Sequence, residues 1–421
     1  VNRDKNNRIV GFLAEFYIKS YNLYAEELTF LLKNFQLKLQ NSLPLHTMNI
    51  RIKEVQSKYD LETFIKFPMN LYKDNQYYVP PFINEEKETL DVTKNPVFKE
   101  AEARYFLAEK EGEIVGRVAA IINWQEVNKQ QKRKMRFGWF DMIDDIEVTK
   151  ALLAKVEEIG KENKLDYIEG PVGFSNLEKA GMLTMGFDKL ATMVGLYNNA
   201  YYSQHLESLD FEMANEWVEY ELPAPKILPE KVVKFNKIIR ERYKLRELKF
   251  TKTSEILPYV DEMFDLLDKT YSELDTYVPI ADYQVEYYKK KYIPFINPDF
   301  VNCIIDENGK MVSFAITMPS YSKAMQKAKG KIFPFGWWHL MKASKKNDSA
   351  QFYLIGIDPK YQGKGVTALI FSAMFDTFNR NNIEFLETNP ELADNESIQV
   401  LWKAYSPVNH KRRKTYRKSI Q

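Results

Sequence analysis

The sequence predicts a mixed α/β protein in which one structural unit is used twice in tandem, each copy a mixed central sheet flanked by helices. Three observations carry this: segments of the first half recur in order in the second, a proline-rich stretch lies between them, and 421 residues exceed what one hydrophobic core normally serves.

The first recurring pair is residues 107–115 and 304–312. Each reads as a strand, a tight turn carrying Gly112 or Gly309, and a second strand of small and apolar residues. The second pair is a helical pattern followed by a strand, 151–159 then 165–169, and 368–378 then 383–387. Both strands end in a glutamate, Glu169 or Glu387, with a proline (Pro171, Pro390) and an asparagine (Asn176, Asn395) beyond. The third pair, 206–220 and 404–416, runs from a helix end into a strand with a terminal aromatic. Between the halves, residues 222–229 hold three prolines that cannot continue a helix or an inner strand. The expected domains are therefore 48–222 and 231–421, joined by a linker over 223–230.

Residues 1–47 stand apart. The chain starts at Val1, its first methionine is Met48, and a strand-like alternation opens at 48–55. Residues 11–39 read as an amphipathic helix, interrupted by Glu15, Lys19, Glu26, Glu27 and Lys33. That extension either lies outside the domain or packs on it as a helix.

Composition removes several function classes. With 60 basic and 58 acidic residues, the net charge of +2 offers no concentrated basic face for nucleic acid. The one cysteine, Cys303, excludes disulfides and fits a reducing cytoplasm. The histidines, His46, His205, His339 and His410, are scattered without metal-ligand spacing, and no GxSxG elbow occurs. No apolar run reaches the roughly 18–20 residues of a membrane span.

The sharpest motif is at 351–370. An apolar strand stops at Asp358-Pro359, the glycine-rich turn Gln362-Gly363-Lys364-Gly365 follows, and a helical run starts at Val366. The physics suits a pyrophosphate: free amides and the helix dipole favour an anion, and glycine admits it close to the backbone. The segment resembles motif A of the GNAT N-acyltransferase superfamily, Q/R-x-x-G-x-G/A after a strand ending in proline. Gln362, Gly363, Lys364, Gly365 and Val366 match in register, while Thr367 stands where the family has Gly or Ala. Asn395, Ser397, Leu401 and Trp402 are similar to the segment whose tyrosine often acts as general acid; Trp402 occupies that tyrosine's place and Tyr405 follows one turn on. The first half lacks the turn, carrying the acidic stretch 140–147 instead.

From about Met48 onward the chain also resembles the YghO-like, bacterial ceramide synthase-like branch, through Gly170-Pro171, Phe174, Asn176, Glu178, Gly181, Gly186, Asp188, Tyr197-Asn198 and Tyr201-Tyr202. The resemblance implies an acyl-CoA donor with a fatty chain and a sphingoid-type amine acceptor. It places the coenzyme on Gln362–Thr367 and on backbone near Ile355 and Ile357. Glu387 is then the candidate base and Tyr405 the candidate acid, with Glu169, Asn176 and Asn395 for the acceptor. No metal is implied.

A lipid has independent support. The apolar run 333–341, with Trp337 and Trp338, is flanked by Lys323, Lys327, Lys329, Lys331, Lys342, Lys345 and Lys346, which suits peripheral contact with an anionic membrane; the other reading is an ordinary buried helix with a basic rim. The basic cluster Lys411, Arg412, Arg413, Lys414 reads as a solvated tail rather than a phosphate site. The rival functions are acetyl- or aminoacyl transfer to a small amine, and acyl-CoA binding without catalysis.

Overall fold

The computed structural model describes residues 50–175, 178–228, 230–272, 277–293, 296–395, 399, 402 and 405–420. The expected extension at 1–47, Asn176 and Ser397 lie outside the described residues.

The first half opens with β1 (Arg51–Glu54) and α1 (Lys58–Leu71), then α2 (Ile83–Thr89). Ser57 and Asp60 close a reciprocal capping box at the start of α1. The hairpin β2 (Ala101–Lys110) and β3 (Glu113–Asn123) follows, then the short α3 (Trp124–Asn128) and β4 (Lys134–Met142). Next come α4 (Ile146–Glu162), β5 (Tyr167–Gly170), β6 (Met182–Met185), α5 (Tyr201–Ser208) and β7 (Glu212–Pro223). On α4, Val148, Leu152, Val156 and Ile159 recur at helical spacing and are buried, fixing the face it turns to the sheet.

The second half runs α6 (Glu230–Tyr243), β8 (Arg246–Leu248), α7 (Val260–Tyr271), α8 (Asp282–Tyr292), then the hairpin β9 (Val301–Ile305) and β10 (Met311–Pro319). An insertion of two helices, α9 (Ser322–Ala328) and α10 (Gly336–Lys345), precedes β11 (Ser349–Ile357). The chain closes with α11 (Val366–Arg380), β12 (Phe385–Glu387), β13 (Glu391–Leu392) and β14 (Val408–Ser419). Each half has a core on both sheet faces. In the first, α4 covers one face and α1 the other; in the second, α11 and α7 do so.

The duplication is visible in the pairing. β3–β4 and β10–β11 are antiparallel, while β4–β5 and β11–β12 are parallel and joined through α4 and α11. The closing strands are exchanged. β7, at the end of the first half, pairs with β12 of the second, and β14, at the end of the chain, pairs with β5 of the first. β7 and β14 also pair with each other, so one sheet runs β1-β2-β3-β4-β5-β14-β7-β12-β11-β10-β9-β8. The proline-rich stretch thus divides the sequence without dividing the sheet.

Two readings are corrected here. The basic cluster is not a solvated tail, because Lys411 and Arg413 are each 1% exposed on β14 and pair with Glu387 and Glu219. Nor is α10 a buried helix. Phe333 is 76% exposed, Phe335 71%, Trp337 46% and Trp338 45%, with Gly336 the buried residue of the helix. Met325 and Ala328 of α9 anchor the insertion on the first half's core, and Gln326 donates to the carbonyls of Gln76 and Tyr78. Among the described residues no helix is long and apolar enough to cross a membrane.

Candidate active site

β11 and β12 pair at three positions, from Ser349 with Phe385 to Gln351 with Glu387, and then part. The chain beyond Glu387 stays with β7: Thr388 exchanges hydrogen bonds with Tyr220, and β13 pairs Glu391 with Val218. β11 continues with β10 instead, through a bulge in which Tyr353 is the extra residue. A wedge opens between residues 352–357 and 388–392. Its carbonyls are taken up by side chains: Asn389 donates to Tyr353, Tyr271 to Ile355 at 3.1 Å, and Thr270 to Ile357 at 3.3 Å. The carbonyls of Ile355 and Ile357, expected to receive the coenzyme's arm, therefore already have donors.

The turn lies at the mouth of this wedge. Asp358 caps Lys360 through its side chain, and Gln362 donates to the Ile357 carbonyl at 3.4 Å. Gly363 and Gly365 have φ of +70° and +83°, the left-handed region that admits glycine without cost. A Cβ on Gly363 would meet nothing within 4 Å, so the backbone is open to a ligand; one on Gly365 would strike the Phe235 ring of α6 at 2.5 Å. Gly365 caps α11 with no side-chain acceptor, which leaves the first amides, through Val366 and Thr367, without intrahelical partners. Lys364 is exposed beside the Tyr243 and Tyr361 rings. Open glycine backbone, free amides and a nearby ammonium fit a pyrophosphate.

The matching place in the first half differs. β4 passes to α4 with Asp145 accepting from the Glu147 amide and pairing with Lys110 at 2.7 Å. A carboxylate already occupies that helix start.

Glu387 sits at the end of β12, where the wedge begins. It pairs with Lys411 and accepts from Gln351 at 3.2 Å, while His410 Nε2 lies 3.3 Å away without hydrogen-bond alignment. Burial pushes its pKa up, but Lys411 and then His410 outweigh that and hold the carboxyl at about 2. A carboxylate so strongly ion-paired has little affinity for an amine's proton. Replacing Lys411 with Met should strand this carboxylate and cost about 3–5 kcal/mol of stability by chemical denaturation; a loss under about 1 kcal/mol would show that water already screens the pair.

Glu169 has a parallel position in the first half, 3.0 Å from buried Lys134, which also pairs with Glu126. Arg136 completes that network at 2.6 Å from Glu126. Tyr405 packs on Phe371 and Phe375 of α11, and no hydrogen bond joins it to Glu387 among the described residues. Asn395 closes the turn after β13 through its amide to the Leu392 carbonyl. Among the described residues of that segment Trp402 enters the site, buried against Phe352 and Phe371, with its indole N–H donating to Glu391 Oε1 at 2.7 Å.

Glu391, Asn389 and Tyr271 escape sequence reasoning. Burial raises the Glu391 pKa to about 8, against which the Trp402 hydrogen bond works only partly. A lone glutamate after a strand end has no sequence signature; its burial comes from β7 and Trp402 closing over it.

No family model matches the chain. It is 26% identical to protein YghO of Escherichia coli K12 over 378 residues, covering 86% of this chain and 94% of that protein. It is 25% identical to the bacterial ceramide synthase of Caulobacter vibrioides over 323 residues, covering 73% of this chain and 80% of that one. Among solved structures, a tandem GNAT protein from the clavulanic acid biosynthesis pathway superposes with a TM-score of 0.54 at 10% identity, spanning 89% of this chain and 99% of its own. Sequence similarity and fold agree with the site's geometry: the chain has the fold of a tandem GNAT protein and is similar in sequence to protein YghO and to the bacterial ceramide synthase, which supports an N-acyltransferase.

Proposed function

We propose that the enzyme takes a fatty acyl group from acyl-CoA and transfers it to the amine of a sphingoid-type lipid base, working at the surface of a membrane. The observation that carries the donor is the open turn Gln362–Thr367 at the mouth of the wedge between β11 and β12. Pyrophosphate on those amides directs the pantetheine into the wedge, where it replaces the Tyr271 and Thr270 hydroxyls at the Ile355 and Ile357 carbonyls. The thioester then reaches the parting point near Gln351, Glu387 and Trp402.

Two observations support a lipid. One relative is named a ceramide synthase. The other is the exposed apolar surface on α10 and the turn before it, with lysines on either side and no acidic residue between Lys323 and Lys346. Aromatic rings at that exposure suit the interface of an anionic bilayer, with ammonium groups at the headgroups.

Thiol release from palmitoyl-CoA and acetyl-CoA, each offered a long-chain amino alcohol and a small amine, tests the reading. Acylation of the long-chain amine by palmitoyl-CoA is expected; preference for acetyl-CoA and the small amine would overturn the lipid assignment. Calorimetric titration should give one coenzyme per chain, because Asp145 closes the equivalent helix start in the first half. A stoichiometry near two would show that the first half binds as well.

A further inference from the structure

We infer that Glu391, on the strand that lines the wedge opposite β11, is the group that takes the proton from the attacking amine. This rests on the acyl-transfer reading and assigns the base within it.

The argument starts from hydrogen bonding. A buried carboxylate normally satisfies both oxygens. Here Oε1 accepts from Trp402, while Oε2 is buried and has no partner among the described residues. Among the described residues no cation pairs with Glu391, in contrast to Glu387 with Lys411 and Glu169 with Lys134. Glu219 Oε2 is also without a partner, but Arg413 meets that carboxylate's charge through Oε1; at Glu391 no described residue meets the charge, and the bare oxygen is open to a donor on a bound ligand.

Placement supplies the donor. Trp402 packs at a tilt against Phe352 of β11, 4.9 Å between ring centres, and edge-on against Phe371 of α11, so Glu391 is held beside the strand and helix that receive the coenzyme. The titratable groups its charge reaches are Tyr220 of β7 and Tyr271 of α7, whose hydroxyl pKa values are raised first by burial and then by Glu391. Arg412 of β14 acts on Tyr220 in the opposite sense. Tyr271 also donates to the Ile355 carbonyl, so Glu391 and the free edge of β11 face one space. A carboxyl titrating at about 8 is matched to proton transfer near neutral pH.

The step balances as follows. The amine nitrogen bonds to the thioester carbonyl carbon, and one N–H proton passes to Glu391 Oε2. The C–S bond breaks with its electron pair on sulfur. The proton then moves from Glu391 to the thiolate, giving amide and free coenzyme A thiol with the carboxylate restored.

Glu391→Gln keeps an acceptor for the Trp402 indole but cannot take a proton. With palmitoyl-CoA and a long-chain amino alcohol, kcat should fall at least about 100-fold while calorimetric Kd for the coenzyme stays within about threefold. The wild-type rate should rise with pH through about 8, and this inflection should disappear in the variant. Stability provides a second readout. The folded carboxyl keeps its proton to about 8 and the unfolded one only to about 4.5, so wild-type stability should decline as pH rises between them. The Gln variant should lack that decline. Should Gln unfold the site, Glu391→Asp should retain the inflection at reduced kcat. A Gln variant within about threefold of wild-type kcat, or one that keeps the inflection, overturns the assignment alone. A wild-type enzyme that binds the coenzyme yet acylates no amine overturns the acyl-transfer reading and this inference with it.

Discussion

Replacing Gly363 with Asp is expected to weaken acyl-CoA binding roughly 30-fold, about 2 kcal/mol, and to leave the fold intact. The side chain would project where no atom lies within 4 Å, so nothing in the protein must move. Asp tolerates the left-handed φ of +70° better than most residues, which keeps backbone strain small. What remains is a carboxylate facing the pyrophosphate at the point where the backbone must come closest. Position 365 is a poorer probe, because any side chain there meets Phe235 and disturbs α6 as well as the ligand. Calorimetric titration with unchanged Kd in Gly363→Asp would place the phosphates elsewhere.

The second large effect concerns chain length. Trp337 and Trp338 are nearly half exposed on α10, with Lys342 over the Trp338 ring at 5.6 Å. They contribute little to the core, so Trp337→Ser with Trp338→Ser should shift the melting temperature by only a few degrees. Their loss should instead strike the lipid. Each buried methylene contributes about 0.8 kcal/mol, so contact with four carbons of a palmitoyl chain is worth ~3 kcal/mol, or ~200-fold, over acetyl. Activity with palmitoyl-CoA should therefore drop far more than with acetyl-CoA, and co-sedimentation with anionic vesicles should fall. Equal losses for both donors, with vesicle binding unchanged, would remove the lipid role from this surface.

The two halves show how differently fold and site were written in the residues. Hairpins, crossover helices and the strands ending in Glu169 and Glu387 were legible because they are local: period, turn glycines and apolar stripes act within a few residues of chain. The glycine-rich turn proposed for the coenzyme was legible as a strand–turn–helix for the same reason, since strand end, glycines and helix start are contiguous from Ile357 to Thr367.

Catalytic chemistry was not legible, because it depends on which charges meet across the sheet. Glu387 reads in the sequence as a candidate base, and the ion pair it makes with Lys411, 24 residues away on β14, has no local signature. Nothing in the sequence singles out Glu391, which the fold places against Trp402 and β7. Likewise the 411–414 cluster read as solvent-facing, yet strand alternation turns Lys411 and Arg413 inward to meet Glu387 and Glu219.

By itself, then, the sequence determined the repeated α/β unit, the glycine-rich turn at 362–365 and the apolar, lysine-flanked insertion. Only the tertiary structure decided that β7 and β14 are exchanged between the halves, and with them which glutamate is paired and which is left bare. The physical reason is range. Helix and turn formation cost and return free energy within a few residues, whereas strand partners are chosen by burial and hydrogen bonding between segments about 200 residues apart, which no local pattern encodes.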